Sequence, residues 1–164
     1  MRSIVRIVVL GATAVVSIAH AEEDWLRRTP SAKETATIVS CLESALGADK
    51  QLACINLVAR PCRGTQDGAT TLGAGVCIDR EVQIWDTLLN QNYRRLMAVL
   101  NDEGKNDLKT TQQTWLRFRN QACHWPYPAY QGGTFAGTLS GECFMTKTAI
   151  RTIDLVEMLD YLPR

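Results

Sequence analysis

One long apolar periodicity limits the folds open to this 164-residue chain. Between positions 78 and 100, apolar side chains recur at intervals of 4, 3, 4, 4, 3 and 4 residues. They are Ile78, Val82, Trp85, Leu89, Tyr93, Leu96 and Leu100. This spacing is typical of one face of a helix of about six turns. Such a helix must bury its apolar face against other elements.

Other segments have shorter patterns of the same period. Ser31 and Glu34 have the spacing of a capping box, and the helix after them is expected to bury a stripe. That stripe is Thr35, Val39, Leu42 and Leu46. Asp49 is a candidate cap for a second helix that Pro61 would stop.

Two further helices are expected towards the carboxyl end. Asp107 is a possible N-cap of a helix that runs to Ala122, and a last helix ends before Pro163. Residues 63–75 and 124–141 are rich in Gly with Thr or Pro, which predicts loops. The chain therefore predicts an all-α, disulfide-stapled small helical bundle, whose short connections favour antiparallel neighbours.

The amino terminus has the pattern of a cleavable signal peptide. Arg2 and Arg6 precede an apolar run, and Ala19 and Ala21 occupy the small-residue positions of a cleavage site. We expect residues 1–21 to be the signal peptide and 22–30 a polar leader. Residues 31–164 would form one helical domain, located in the periplasm or secreted, without a membrane anchor after cleavage.

Composition after cleavage argues against several function classes. Removal of residues 1–21 leaves 16 basic and 17 acidic residues, so no basic excess favours nucleic acid. One histidine, His124, remains; we therefore expect no metal site, no catalytic triad and no cofactor. His124 adjoins Cys123, but a Cys–His nucleophile is disfavoured because a cysteine of an exported chain is better placed in a disulfide.

Carboxylate pairs give no clear catalytic signal either. Glu81 with Asp86 and Asp154 with Glu157 are pairs that any helix surface supplies. Without supporting context, they do not indicate a glycosidase. We therefore expect that the protein is not an enzyme.

Polar residues on otherwise apolar helix faces are a second unusual feature. They are Asp86, Asn90, Gln112, Arg119 and Arg151. A buried charge is costly unless it is paired, and Asp86 with Arg119 or Arg151 is the obvious pairing. The favoured interpretation is one internal network that fixes helix register. The alternative is a solvent-lined site for a ligand.

A combined pattern resembles a known family. It comprises Cys77 with Trp85-Asp86-x-x-Leu89-Asn90-x-x-Tyr93, then Gln112-x-x-Trp115-x-x-Phe118-Arg119-x-x-x-Cys123, then Cys143-x-x-x-x-Thr148-x-x-Arg151. Over residues 77–155 it is similar to the LprI-type lysozyme-inhibitor-like family of small exported bacterial helical proteins. The resemblance implies a non-enzymatic binding protein whose partner is a lysozyme or another peptidoglycan-cleaving enzyme.

An inhibitor of that kind needs a preorganised loop to plug a catalytic cleft. The segment between Cys123 and Cys143 is the candidate, with Tyr127, Tyr130 and Phe135 as contact residues. Ser140 or Arg151 would reach a carboxylate. The alternative function is a periplasmic structural or stress-related interaction module that does not bind lysozyme.

Six cysteines, an even number in an exported chain, predict three disulfides. Six cysteines allow 15 pairings, and we favour the sequential order Cys41–Cys54, Cys62–Cys77 and Cys123–Cys143. The last pair would close the Gly-rich segment between two helices.

Overall fold

Helices account for the regular structure of the part of the chain that the structure describes. The computed structural model describes residues 29–162, so the predicted signal peptide and most of the leader lie outside the described residues. The helices are α1 (Ala32–Ser44), α2 (Ala48–Gln51), a 3₁₀ turn (Leu52–Cys54), α3 (Ala59–Arg63), α4 (Thr71–Val99), α5 (Asp102–Ala122), α6 (Pro126–Ala129) and α7 (Thr134–Tyr161). No strand occurs between residues 29 and 162, which confirms the all-α fold class.

The longest helices, α4 and α7, pack side by side and run in the same direction. Near their starts, Gly141 lies against Ile78, and further along the Thr152 hydroxyl donates to the Trp85 carbonyl over 3.2 Å. The expected preference for antiparallel neighbours concerns helices joined by short connections, and it does not apply to this pair. The physical reason is that α5 lies between them in sequence and carries the chain back to the end where α4 began.

Glycine residues in α7 explain why the predicted loop over 124–141 is wrong in its second half. The helix begins at Thr134 and includes Gly137 and Gly141. A Cβ atom at Gly141 would lie 3.2 Å from the Ile78 Cγ2 atom. This glycine permits close helix packing, which offsets its poor helix propensity.

The other predicted loop, over 63–75, is wrong in its last part because α4 begins inside it. The Thr70 hydroxyl accepts a hydrogen bond from the Gly73 amide over 2.9 Å and caps a helix that begins at Thr71. A Cβ atom at Gly73 would lie 1.9 Å from the Asp67 carbonyl oxygen. The glycine is therefore required by the turn that enters the helix.

Asn101, and not Asp107, is the N-cap of α5. The Asn101 side chain accepts a hydrogen bond from the Gly104 amide over 2.9 Å. Asp102 and Glu103 in the first turn favour this start because they face the positive end of the helix dipole. Only Leu100 and Asn101 therefore separate the end of α4 from the start of α5.

The amino-terminal helix begins as predicted, but it buries a different residue. The capping box is confirmed, since the Ser31 hydroxyl accepts from the Glu34 amide and the Glu34 carboxylate accepts from the Ser31 amide. Ile38 is the fully buried side chain of α1, whereas Leu46 of the predicted stripe is 79% exposed. The helix ends at Ser44, so Leu46 lies beyond the face that packs.

The predicted second helix, from Asp49 to Pro61, is interrupted. Residues 55–58 form a turn between the 3₁₀ segment and α3, and Asn56 adopts a positive φ of 74°. The amides of this turn bond to a side chain of α4, so the backbone does not continue a regular helix.

That side chain is Glu81, which is fully buried. Its carboxylate accepts hydrogen bonds from the backbone amides of Asn56, Val58 and Ala59, at 2.6, 3.0 and 2.7 Å. It also accepts from the Trp85 indole Nε1 over 3.0 Å. The interpretation of Glu81 as a helix-surface carboxylate is therefore wrong. These four donors compensate the burial of the carboxylate.

Three disulfides fasten the helices. They join Cys41 to Cys54, Cys62 to Cys77 and Cys123 to Cys143, which is the sequential order. The first ties α1 to the 3₁₀ turn, the second ties α3 to α4, and the third ties the end of α5 to α7. The first two therefore flank the turn that Glu81 holds.

Two apolar clusters divide the interior. One, around Trp85, Ile38 and Met145, joins the amino-terminal segment to α4 and α7. The other, around Leu89, Leu108 and Leu155, joins the three long helices. The first cluster explains why α1 to α3 belong to the same folded unit as the bundle.

Replacement of Glu81 by Gln should destabilise the protein strongly. The side-chain amide is neutral and can accept from fewer of the four donors, so buried N–H groups would lose their partners. We expect the free energy of unfolding to fall by about 3 kcal/mol. Urea denaturation followed by circular dichroism measures this. The exposed Glu43→Gln is the control, and equal effects of the two substitutions would contradict the assignment.

Acid should weaken the α1 cap. Burial alone would raise the pKa of Glu34, but hydrogen bonds from Ser31 and the charge of Arg80 hold that pKa below its ordinary value. A carboxyl with a lowered pKa stabilises the fold above its unfolded pKa, about 4.3, and loses this effect as pH falls through the folded pKa.

We therefore expect the stability difference between wild type and Glu34→Gln to be largest above about pH 5 and to shrink below about pH 4. Urea denaturation across this range measures it. Glu43→Gln should show no comparable trend, and a Glu34→Gln effect independent of pH would refute the prediction.

Candidate functional site

An exposed group of aromatic rings lies at the turn between α5 and α7. We call it the aromatic corner, and it consists of His124, Trp125, Tyr127, Tyr130 and Phe135. Its four larger side chains are between 41% and 54% exposed. Contiguous exposed aromatic surface is unusual on a monomeric protein and is typical of interaction sites.

The corner is held by local structure. The Cys123–Cys143 disulfide closes the segment that contains it, and Pro126 is buried in the short helix α6. The Tyr130 ring lies 5.5 Å from Phe135 in an edge-on arrangement and 6.4 Å from Trp125. These contacts restrict the rings before any partner arrives.

A groove of about 620 Å³ adjoins the corner. It runs between the first turns of α4 and α7, and Thr134 lines it immediately before Phe135 in the chain. Leu72, Ile78 and Phe144 contribute apolar wall, and Gly137 leaves open space. The corner and the groove therefore form one apolar end of the bundle.

The structure brings together three of the predicted contact residues and separates two others from them. Tyr127, Tyr130 and Phe135 lie in the aromatic corner. Ser140 is only 4% exposed and Arg151 only 6%, so the expectation that either reaches a partner's carboxylate at this surface is wrong. Both lie on faces of α7 that pack inside the bundle.

Trp125 is an exposed residue of the aromatic corner that the sequence analysis did not single out. It is 54% exposed, and its ring contacts Tyr130. Its position between Cys123 and Pro126, in the segment that already contained two tyrosines, was the available signal. His124, whose ring lies 5.4 Å from Tyr127, belongs to the same surface.

The predicted polar network is divided into two groups. In one, the exposed Asn90 amide donates to Asp86 over 3.1 Å, and Arg119 lies 3.8 Å from the same carboxylate. In the other, the Arg151 Nε donates to the Gln112 side chain over 3.0 Å. The expected pairing of Asp86 with Arg119 is present as an ion pair, whereas Arg151 pairs with Asp154.

Arg119 lies between two aromatic rings. Its guanidinium carbon is 5.0 Å from the Trp115 ring centroid and 5.1 Å from that of Phe144, and Nη1 donates to Thr148 over 3.1 Å. Burial lowers the pKa of Arg119, and the charge of Asp86 opposes this effect. Arg119 therefore connects α5 with α7 through stacking as well as through hydrogen bonding.

Replacement of Arg119 by lysine should destabilise the protein. An ammonium cannot stack as a plane between Trp115 and Phe144, and we expect Arg119→Lys to lower the free energy of unfolding by about 1–2 kcal/mol. Urea denaturation measures the change. Arg117→Lys, at an exposed position of the same helix, is the matched control and should stay within about 0.5 kcal/mol of wild type. Equal effects would contradict the stacking role.

Residues 29–162 contain neither a group of metal ligands nor a membrane-spanning helix. In this range, no three His, Cys, Asp or Glu side chains are grouped as metal ligands. None of the helices described there has both the length and the apolar character needed to span a bilayer.

Comparisons with known proteins agree with the resemblance in the sequence pattern. An uncharacterized protein of Rhizobium meliloti (strain 1021) is 24% identical over 98 residues, covering 52% of this chain and 70% of the relative. The chain has no significant match among solved structures. The profile of the family described as "Lysozyme inhibitor LprI" matches residues 62–155, more than half of the chain. The chain therefore belongs to the LprI lysozyme-inhibitor family.

Proposed function

We propose that the mature protein is exported and inhibits a lysozyme-type muramidase by binding it. The observation that carries this proposal is the family match over residues 62–155. The matched span contains α4 and α5, the aromatic corner and most of α7. Any inhibitory surface common to the family would therefore lie within the long-helix bundle.

The aromatic corner is the surface that we assign to the contact. Tyr and Trp are enriched among the residues that contribute most binding energy at protein interfaces. Here the rings are exposed, contact one another and lie in a segment closed by the Cys123–Cys143 disulfide. Less conformational entropy is lost when such a preordered surface binds.

The chemistry of the corner suits an acidic cleft. Glycosidases of this type commonly use a pair of carboxyl groups. Tyr127 and Tyr130 are exposed phenols whose hydroxyl groups can donate to a carboxylate. Lys147, with its ammonium 4.9 Å from the Phe118 ring centroid, adds a positive charge one helical turn after Cys143. The mature net charge of −1 gives only weak long-range steering.

Export is supported by the covalent structure. Three disulfides persist in oxidising compartments, such as the periplasm or the extracellular medium. Peptidoglycan-cleaving enzymes act in the same compartments, so the proposed partner would be accessible.

An inhibition assay tests the proposal. Residues 22–164, purified with the disulfides formed, should slow cell-wall lysis by at least one of several lysozyme classes. Trp125→Ala combined with Tyr130→Ala should raise the inhibition constant at least about 30-fold, because two exposed anchors are lost. Tyr161→Ala removes an aromatic ring that is more exposed but lies at the other end of α7, and it should leave inhibition unchanged.

Two results would overturn the proposal at different levels. Unchanged lysis by every lysozyme class at micromolar excess would exclude inhibition and favour the alternative, a periplasmic interaction module with another partner. Inhibition that survives the Trp125 and Tyr130 substitutions would retain the function and reject the aromatic corner as its surface.

A further inference from the structure

The end of the bundle opposite the aromatic corner contains a second cleft. It has a volume of about 400 Å³ and lies where the end of α4, the start of α5 and the end of α7 meet. Its lining residues are mostly apolar: Leu96, Leu100, Leu108, Met158, Tyr161 and Leu162, with Asp107, Thr111 and Arg151. This volume is within the range of small-molecule sites in proteins.

Arg151 places a buried positive charge at this cleft. The residue is 94% buried, yet it is one of the residues that line the cleft. Its Nη2 atom is buried and has no hydrogen-bond partner among residues 29–162. A buried guanidinium nitrogen without an acceptor is costly, so an acceptor supplied by a ligand would be favourable.

The neighbouring groups do not fully compensate the charge of Arg151. Gln112 accepts from Nε over 3.0 Å but is neutral. The Asp154 carboxylate is 3.8 Å from Nη1, which is longer than a hydrogen bond, and it is about half exposed. Asp107 at the cleft is exposed, so its charge is screened by solvent. The positive charge of Arg151 is therefore incompletely compensated beside apolar walls.

We propose that this cleft binds an amphiphile with a carboxylate head and an unbranched acyl chain. The carboxylate would accept hydrogen bonds from the Arg151 guanidinium, which suits a planar two-oxygen acceptor. The chain would lie against Leu96, Leu108 and Met158, where burial of each methylene is favourable. This binding is separate from lysozyme inhibition, because the aromatic corner lies at the start of α7 and Arg151 lies about 25 Å further along that helix.

Titration calorimetry with three ten-carbon amphiphiles tests the proposal on residues 22–164. Decanoate, decyl glucoside and decyltrimethylammonium have similar chains but negative, neutral and positive heads, and each is used below its micelle concentration. We expect decanoate to bind at least tenfold more tightly than either of the others. Acetate, which has the head without the chain, should not bind at millimolar concentration.

Substitutions at exposed positions test where decanoate binds, because they should leave the fold intact. Met158 is 41% exposed, so Met158→Glu should fold normally while placing a negative charge in the cleft wall. We expect it to weaken decanoate binding at least tenfold. Leu46→Glu, at a 79% exposed position of the amino-terminal segment, is the matched control and should bind as wild type does.

Arg151→Met separates the contribution of the head group from that of the chain. It should abolish the preference for decanoate over decyl glucoside without preventing neutral binding. Equal affinity of wild type for the three amphiphiles, or unchanged binding by Met158→Glu, would overturn the proposal. Trp125→Ala should leave decanoate binding unchanged, so the two proposed sites can fail separately.

Discussion

The fold of the amino-terminal half depends on the hydrogen bonds that the Glu81 carboxylate accepts. It accepts three backbone amides from the turn before α3 and the indole of Trp85 on its own helix. The turn can therefore leave helical geometry, with Asn56 at positive φ, while its amides remain bonded. Because the Cys41–Cys54 and Cys62–Cys77 disulfides lie on either side of this turn, one buried side chain orients the whole segment against α4.

The parallel packing of α4 and α7 decides where the surfaces lie. Close approach at Gly141 and the hydrogen bond between Thr152 and the Trp85 carbonyl align the two helices along their length. Because α5 returns between them, the chain must turn sharply before α7, and the aromatic corner occupies that turn. The ends of the same three helices form the Arg151 cleft. The two candidate sites are therefore consequences of one helix arrangement.

Two arginines on the apolar faces meet the cost of burial in different ways. Arg119 stacks between Trp115 and Phe144 and donates to Thr148, so its charge is distributed over several partners. Arg151 donates to Gln112. Each arginine has one buried nitrogen without an acceptor among residues 29–162, Nε of Arg119 and Nη2 of Arg151. Burial lowers the pKa of both guanidinium groups, but only Arg151 lines a cleft. This difference is why Arg119 is interpreted as structural and Arg151 as part of a binding site.

The helical class, the long α4 face, the Ser31 cap and the family pattern were readable from sequence, because periodicity and capping depend on residues close together in the chain. The helices that begin inside the two predicted loops, and the role of Glu81, could not be predicted from the sequence. Gly73 and Gly141 resemble loop residues until a turn or a neighbouring helix occupies the space that their Cβ atoms would need. Glu81 resembles a surface residue until amides from residues 56–59 surround it. The sequence alone thus determined an all-α protein with paired cysteines and a family. Only the tertiary structure decided which polar groups are buried and which aromatic rings are exposed, because burial depends on contacts between residues distant in the chain.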